Sequence, residues 1–292
     1  MPSKAISISE LDDRGANAST LRSLDEIDDL PDRSAVGIEI PIGRGLQLQA
    51  LVLKKARGLP VVAQFHGALD KSKYAPPRFE RLATLRDLEV NSIFFADPTI
   101  MLHSGLQLAW YTAWIEFDLH ALIGRVVSKI AAKLGGGRVI TAGSSGGGFA
   151  ALQVAPHVRG SIAVPMNPQT AIPRYRVEGV HMGPQRTYRR HVMPELGNPD
   201  EDSSTLSDWW LPMAHRLSAV ERYRLGQRTT VNFWQNVNDA HHVDEHYRPF
   251  IQACASSGIP NLKCFEYEGP AAHVQPTTAT YLKALTIAIE AS

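Results

Sequence analysis

The sequence predicts an α/β fold: a mostly parallel sheet with an antiparallel N-terminal hairpin, helices on both faces and an inserted cap. Three observations carry this. Short apolar runs rich in β-branched residues alternate with helical stretches from residue 36 onward, the pattern of strands joined by crossover helices. A Gly-x-Ser-x-Gly turn lies between one such strand, Val139-Ile140-Thr141-Ala142, and an alanine-rich stretch, Phe149-Ala150-Ala151-Leu152. The residues with chemical capacity (His66, Asp97, Ser145, Asn167, Asp239 and His273) fall at or just past the ends of these strands. Open parallel sheets place their sites there.

Taken in order, residues 1 to 34 form an acidic arm, with Glu10, Asp12, Asp13, Asp25, Glu26, Asp28 and Asp29 and no aromatic residue. Leu21, Leu24, Ile27 and Leu30 recur at every third position, so this arm either docks a short amphipathic helix or stays loose. The main domain occupies residues 35–292. Val36 to Ile42 and Leu46 to Lys55 read as a hairpin around Gly43-Arg44-Gly45. Val61 to Phe65 is a short buried strand ending at His66-Gly67, and Phe79 to Leu88 reads as a helix. Asn91 to Ala96 is a strand ending at Asp97-Pro98, and Leu119 to Leu134 is a long helix. The strand at Val139 enters the glycine turn. Further strands are expected at Ser161 to Pro165, Thr229 to Gln235 and Leu262 to Glu268, with a closing helix over Thr278 to Ala291. Between about 168 and 225 the alternation stops. An insertion of this length is usually functional, and it reads as a cap over the site. Its basic residues Arg174, Arg176, Arg186, Arg189 and Arg190 form a solvated face or receive a phosphate or carboxylate.

Composition narrows the function. The chain of 292 residues is 44% apolar with a formal charge of +1, so a sizeable core is available and no global field favours nucleic acid or an anionic membrane. No apolar run approaches membrane-spanning length. Met1 to Ser7 lacks the apolar segment of a secretory signal. Cys254 and Cys264 match no zinc or redox spacing and read as buried thiols in a reducing cytoplasm. Neither the phosphate-binding Gly-Lys-Ser/Thr nor the Gly-x-Gly-x-x-Gly of a dinucleotide site is present, and no cofactor is expected.

The glycine turn has the form of a nucleophile elbow: a strand reverses sharply into a helix and holds one serine at the tip. Gly143 and Gly147 must be small because strand and helix pass close together, and Ser145, not Ser144, is the residue presented. A serine hydroxyl needs a base, itself oriented by a third group. His273, in the loop between the last strand and the last helix, is the candidate base. Asp239, in the turn after the preceding strand, is the candidate acid, with Asp244 and Glu245 as competitors and helix capping as its plain structural role. The oxyanion donors expected are the backbone N–H groups of Gly146 and Ala68. His66 braces the latter loop or meets substrate. Asp97 and Asn167 at strand ends, and Trp110 and Tyr111 beyond them, are candidates for substrate binding, though core packing accounts for the two aromatics equally well. His241, His242 and His246 read as a surface turn of histidines, and no metal site is expected.

The elbow Gly143-Ser144-Ser145-Gly146-Gly147, the His66-Gly67 turn, Asp239 and His273 stand in the chain order of the α/β-hydrolase superfamily, which residues 36 to 291 resemble. Asn236 stands where that superfamily often has glycine before the acid. The resemblance implies a serine hydrolase of acyl esters. Phe95-Ala96-Asp97-Pro98, the Gly-Gly-Gly-Phe-Ala-Ala-Leu helix and Asn167-Pro168-Gln169-Thr170 are also similar to bacterial surface-glycan biosynthesis proteins, including the accessory Sec glycan O-acetyltransferase type. That likeness implies a small-molecule or glycan acyl substrate: acyl transfer on a polysaccharide, or a non-catalytic partner in its assembly or secretion.

Overall fold

The central strands of this chain are apolar on both sides because both sides are covered. In a computed structural model, which describes residues 5–177, 180–181, 183–197, 199, 208–258 and 261–291, Val61, Ala63 and Phe65 point to one face of the sheet. Val62 points to the other, and all four are fully buried. That is the period-two alternation of a strand with helices above and below.

The chain opens with β1 (Ile6–Ser7), which pairs antiparallel with β2 (Ser34–Gly43). Between them the arm docks through two capped 3-10 turns, Ile8–Glu10 and Leu24–Ile27. Ile8, Leu11, Leu21, Ile27 and Leu30 are buried. The expected amphipathic helix is thus a single tight turn. Its apolar residues repeat every three positions, which matches the 3.0-residue turn of a 3-10 helix and not the 3.6 of an α-helix.

β2 and β3 (Leu46–Lys54) form the hairpin, with a register shift between Pro41 and Gly43. Then follow β4 (Val61–Phe65), α1 (Leu82–Arg86), β5 (Asn91–Phe95), α2 (Leu119–Lys133), β6 (Val139–Ser144), α3 (Gly146–Val154) and β7 (Ile162–Met166). The insertion holds a small hairpin, β8 (Arg176–Val177) with β9 (Val180–His181), and helices α4 (Gly183–His191), α5 (Ala214–Leu217) and α6 (Ala219–Arg224). The alternation resumes with β10 (Thr230–Asn236), α7 (Ala240–His242), a π-helical turn Val243–Tyr247 and α8 (Arg248–Ser256). It closes with β11 (Leu262–Tyr267) and α9 (Thr278–Glu290).

The main sheet has nine strands in the order β1-β2-β3-β5-β4-β6-β7-β10-β11. Pairing is antiparallel from β1 to β5 and parallel from β5 to β11. The Leu119, Ile123, Val127 and Ile130 face of α2 packs on one side with Ala150, Ala151 and Val154 of α3. Tyr281, Ala284, Leu285 and Ala288 of α9 cover the other with Leu82 and Leu85 of α1. A third apolar cluster joins Phe149 and Leu152 of α3 to α6, α8, and Ile172, Tyr188, Val192, Met193, Trp209 and Met213 of the insertion. Of the two thiols, Cys254 is buried but Cys264 is exposed. The reason is topological: β11 is the edge strand, so its outer positions face solvent. No described helix is long and apolar enough to cross a membrane.

Candidate active site

Four strand ends, those of β4, β6, β7 and β10, converge on Ser145. The turn from β6 into α3 leaves Ser145 at φ 56°, ψ −122°, a strained region for a residue with a Cβ. Two glycines make the reversal possible. A Cβ on Gly147 would lie 2.4 Å from the Phe65 carbonyl oxygen, and one on Gly143 would lie 2.5 Å from the Gly147 backbone. No rearrangement of flexible side chains relieves contacts with backbone. The neighbouring Ser144 has a buried hydroxyl that donates to Glu80 Oε1 at 3.4 Å.

His273, in the loop before α9, brings Nε2 to 2.9 Å from Ser145 Oγ. Its Nδ1 lies 2.9 Å from Asp239 Oδ2. Asp239 also caps α7, accepting from the His242 backbone N–H at 3.3 Å, so capping and orientation fall on the same carboxylate. Burial opposes its ionisation, but hydrogen bonds from His242 and His273 outweigh that and hold the carboxyl far below the usual carboxylate range. Asp244 lies elsewhere, exposed and paired with Arg248, and Glu245 pairs with Arg174 and Arg176.

The two expected oxyanion donors belong to residues beside Ser145. Gly146 is the first residue of α3, so its N–H has no intrahelical acceptor. In the facing loop the Gly67 N–H is taken by Glu80 Oε2 at 3.2 Å, and the next residue, Ala68, lines the pocket. Burial raises the Glu80 carboxyl, against the pull of that Gly67 hydrogen bond. The pocket holds about 150 Å³ and is lined by Gly67, Ala68, Ser144, Ser145, His273, Val274 and Gln275. None of its described lining residues comes from the 168–225 stretch.

The candidates for substrate binding lie beneath this surface and tie its loops together. His66, Asp97, Trp110, Tyr111 and Asn167 are all buried, none more than 2% exposed. His66 Nδ1–H donates to the Gly67 carbonyl at 2.7 Å and Nε2 accepts from the Asp97 N–H at 3.0 Å. Burial keeps that imidazole neutral, its pKa lowered to about 4. Asp97 accepts from the Thr99 and Tyr111 N–H groups, and burial raises its carboxyl to about 6. The Tyr111 hydroxyl donates to the Phe95 carbonyl and accepts from the His66 N–H. Asn167, at φ 41°, accepts from the Asn236 N–H and so staples β7 to β10.

Two residues of the site escaped the sequence reading. Gln169 Nε2 lies 2.9 Å from Ser145 Oγ and 3.0 Å from His242 Nε2. His242 is not a surface histidine. It is 1% exposed, its ring stacks on His273 at 3.7 Å and 5°, and its Nδ1 donates to Asp239 Oδ1 at 3.2 Å. His246 is fully buried as well. His246 sits in the π-helical turn Val243–Tyr247, an irregularity that residue spacing does not show. The signal available for Gln169 was its place just beyond the end of β7; for His242 it was the N-cap spacing from Asp239.

Asp239, His242 and His273 offer ligand atoms within 4.8 Å of one another. The two rings are stacked parallel, and both Nδ1 atoms lie at hydrogen-bond distance from Asp239 Oδ2, 3.1 Å for His242 and 2.9 Å for His273. That geometry suits hydrogen bonding better than a metal ion.

No protein-family model and no curated protein sequence matches this chain. Solved structures do. The capsule O-acetyltransferase of Neisseria meningitidis serogroup A is 13% identical with a TM-score of 0.57, over 86% of this chain and 96% of that one. Carboxyl esterase 2 of the mycorrhizal fungus Tuber melanosporum is 14% identical with a TM-score of 0.57, over 86% and 84%. Prolyl oligopeptidase B of Galerina marginata is 15% identical with a TM-score of 0.55, over 88% of this chain and 37% of that one. All three are enzymes of one architecture, and with the sheet order and the elbow described above the conclusion is that this chain has the α/β-hydrolase fold.

Proposed function

We infer that the protein is a serine hydrolase of short acyl esters. The observation that carries this is the continuous path from Ser145 Oγ through His273 to Asp239, two contacts of 2.9 Å on a strained elbow. Ser145 Oγ attacks the ester carbonyl as its proton passes to His273 Nε2. The carbonyl electron pair moves to oxygen, which the Gly146 and Ala68 N–H groups receive. Collapse expels the alcohol, which takes the proton from His273, and leaves an acyl-enzyme that water cleaves by the same steps. Asp239 holds the Nδ1–H tautomer and stabilises the imidazolium. A pocket of about 150 Å³ is well below drug-sized sites and favours a small acyl group such as acetyl.

The near-complete overlap with a capsule O-acetyltransferase supports a second reading, acetyl transfer to a sugar hydroxyl with the same residues. The two differ only in which hydroxyl meets the acyl-enzyme.

A fluorophosphonate probe tests the common core. Labelling of the wild type that disappears in Ser145→Ala is the expected result; a folded wild type that never labels removes both readings. Hydrolysis of p-nitrophenyl acetate should exceed that of the octanoate by at least tenfold, and the reverse order would contradict the small acyl pocket.

A further inference from the structure

Ser145 Oγ has two polar partners, not one. His273 accepts its proton on one side. On the other, Gln169 Nε2 donates to it at 2.9 Å. The direction of this second contact is forced. Gln169 Oε1 accepts the Trp110 indole N–H at 3.3 Å, so the nitrogen of the amide faces Ser145. That nitrogen's other hydrogen goes to His242 Nε2 at 3.0 Å, and His242 Nδ1–H returns to Asp239 Oδ1 at 3.2 Å. The contacts close a ring: Ser145, His273, Asp239, His242, Gln169 and back to Ser145. Around it every donor meets an acceptor in a single pattern. Gln169 is the source of two N–H donors and Asp239 the acceptor of two, with one imidazole on each side.

Gln169 is fully buried and absent from the pocket lining. It reaches Oγ from behind, so the face toward the pocket stays open for attack. Its three hydrogen-bond partners hold the amide rigidly, and a donor already aimed at the atom where charge develops costs no reorganisation during reaction.

We propose that Gln169 is a further catalytic residue, whose amide N–H stabilises Ser145 Oγ as it loses its proton and again when it leaves the acyl-enzyme, and that His242 is the positioning residue that holds that amide in place. No covalent bond forms at either residue. The proton still moves between Ser145 and His273, while the Gln169 hydrogen bond strengthens as charge grows on Oγ. The inference rests on the serine-hydrolase reading above.

The test is the second-order rate of fluorophosphonate labelling at Ser145, measured with a melting curve for each variant. Gln169→Ala should slow labelling by about ten- to a hundredfold. Gln169→Glu keeps the shape but presents a carboxylate, which draws the Ser145 hydroxyl proton away from His273. Its rate relative to wild type should be lowest near neutral pH and rise on acidification, as the protonated carboxyl regains a donor. His242→Phe keeps the stacked ring without its hydrogen bonds. Combined with Gln169→Ala it should slow labelling no further than the more severe single change, because both act on one path. Gln169→Glu that labels as fast as wild type, or runs parallel to it across pH, overturns the inference and leaves the hydrolase reading intact. Multiplying effects in the double variant overturn the role of His242. A wild type that does not label defeats the hydrolase reading and this inference with it.

Discussion

Asp239 shows how much one residue's neighbours decide. It has the composition of an ordinary helix cap, yet its two oxygens receive His273 and His242. Asp239→Asn puts an amide N–H2 against an imidazole donor and favours the wrong tautomer of His273. Turnover of p-nitrophenyl acetate should fall by about 10⁴-fold, while Asp244→Asn, on an exposed residue paired with Arg248, should leave it within twofold. The opposite result would move the acid one turn along the chain. Gly147 belongs to the same scale. Gly147→Ala forces a methyl group to 2.4 Å from the Phe65 carbonyl oxygen, and stability should drop by about 1–3 kcal/mol with labelling lost. The elbow glycines, Ser145, His273 and Asp239 were all legible in the sequence, because each obeys a local turn or a strand-end rule. Gln169 and His242 were not, because nothing within a few residues of either announces a partner 73 positions away.

At the scale of elements, the loop between β5 and α2 is the least regular part of the site's support and among the most constrained. Trp110, Tyr111 and Ala113 all have positive φ. The conformation persists because the surroundings over-determine it. Asp97 takes the Tyr111 N–H, and His120 donates to the Trp110 carbonyl at 2.8 Å. The Arg216 guanidinium donates to the carbonyls of Thr112, Trp114, Ile115 and Phe117. Arg216 comes from the insertion, about 100 residues later in sequence, so the described part of that insertion acts here as a clamp on the loop that positions Trp110 behind Gln169. Arg216→Met should strip four carbonyls of their donor and lower unfolding stability by about 3–5 kcal/mol, read as a fall in the urea midpoint. A midpoint within error of wild type would mean that the loop holds its shape without the clamp. The insertion was visible in the sequence as a break in the alternation; its role as a clamp was not, since arginine on a polar stretch reads as a solvated face.

For the whole molecule, the buried histidines set a pH limit. Burial holds His66 and His242 down to about 4, His120 to about 3 and His246 well below its ordinary value of 6.5. As pH falls through 6.5 the unfolded chain takes up these protons while the folded chain does not. Stability is therefore lost from about pH 6.5 toward 4. Asp97 and Glu80 work in the other direction, since burial raises both carboxyls, that of Asp97 to about 6, and the folded chain binds those protons first. Two carboxyls against four imidazoles leave a net loss on acidification. The urea midpoint should fall steadily between pH 7 and 4.5, and a flat profile would contradict the burial of these rings.

What the sequence determined by itself is whatever a window of ten to fifteen residues can encode. The alternation of strand and helix, the close approach at Gly143 and Gly147, the choice of Ser145 over Ser144, and the placing of Asp239 and His273 just past strand ends all follow from periodicity and turn chemistry, which act locally. Tertiary structure decided which side chains share a hydrogen bond. It placed His242 inside and against His273, turned Gln169 toward Ser145 Oγ, set His66, Asp97, Trp110, Tyr111 and Asn167 beneath the pocket, and reduced the three-residue leucine repeat of the arm to a 3-10 turn. Those outcomes depend on the direction and burial of groups brought together from distant parts of the chain. Because a buried donor or acceptor without a partner is costly, the packed fold, and not the spacing of residues, selects the partners.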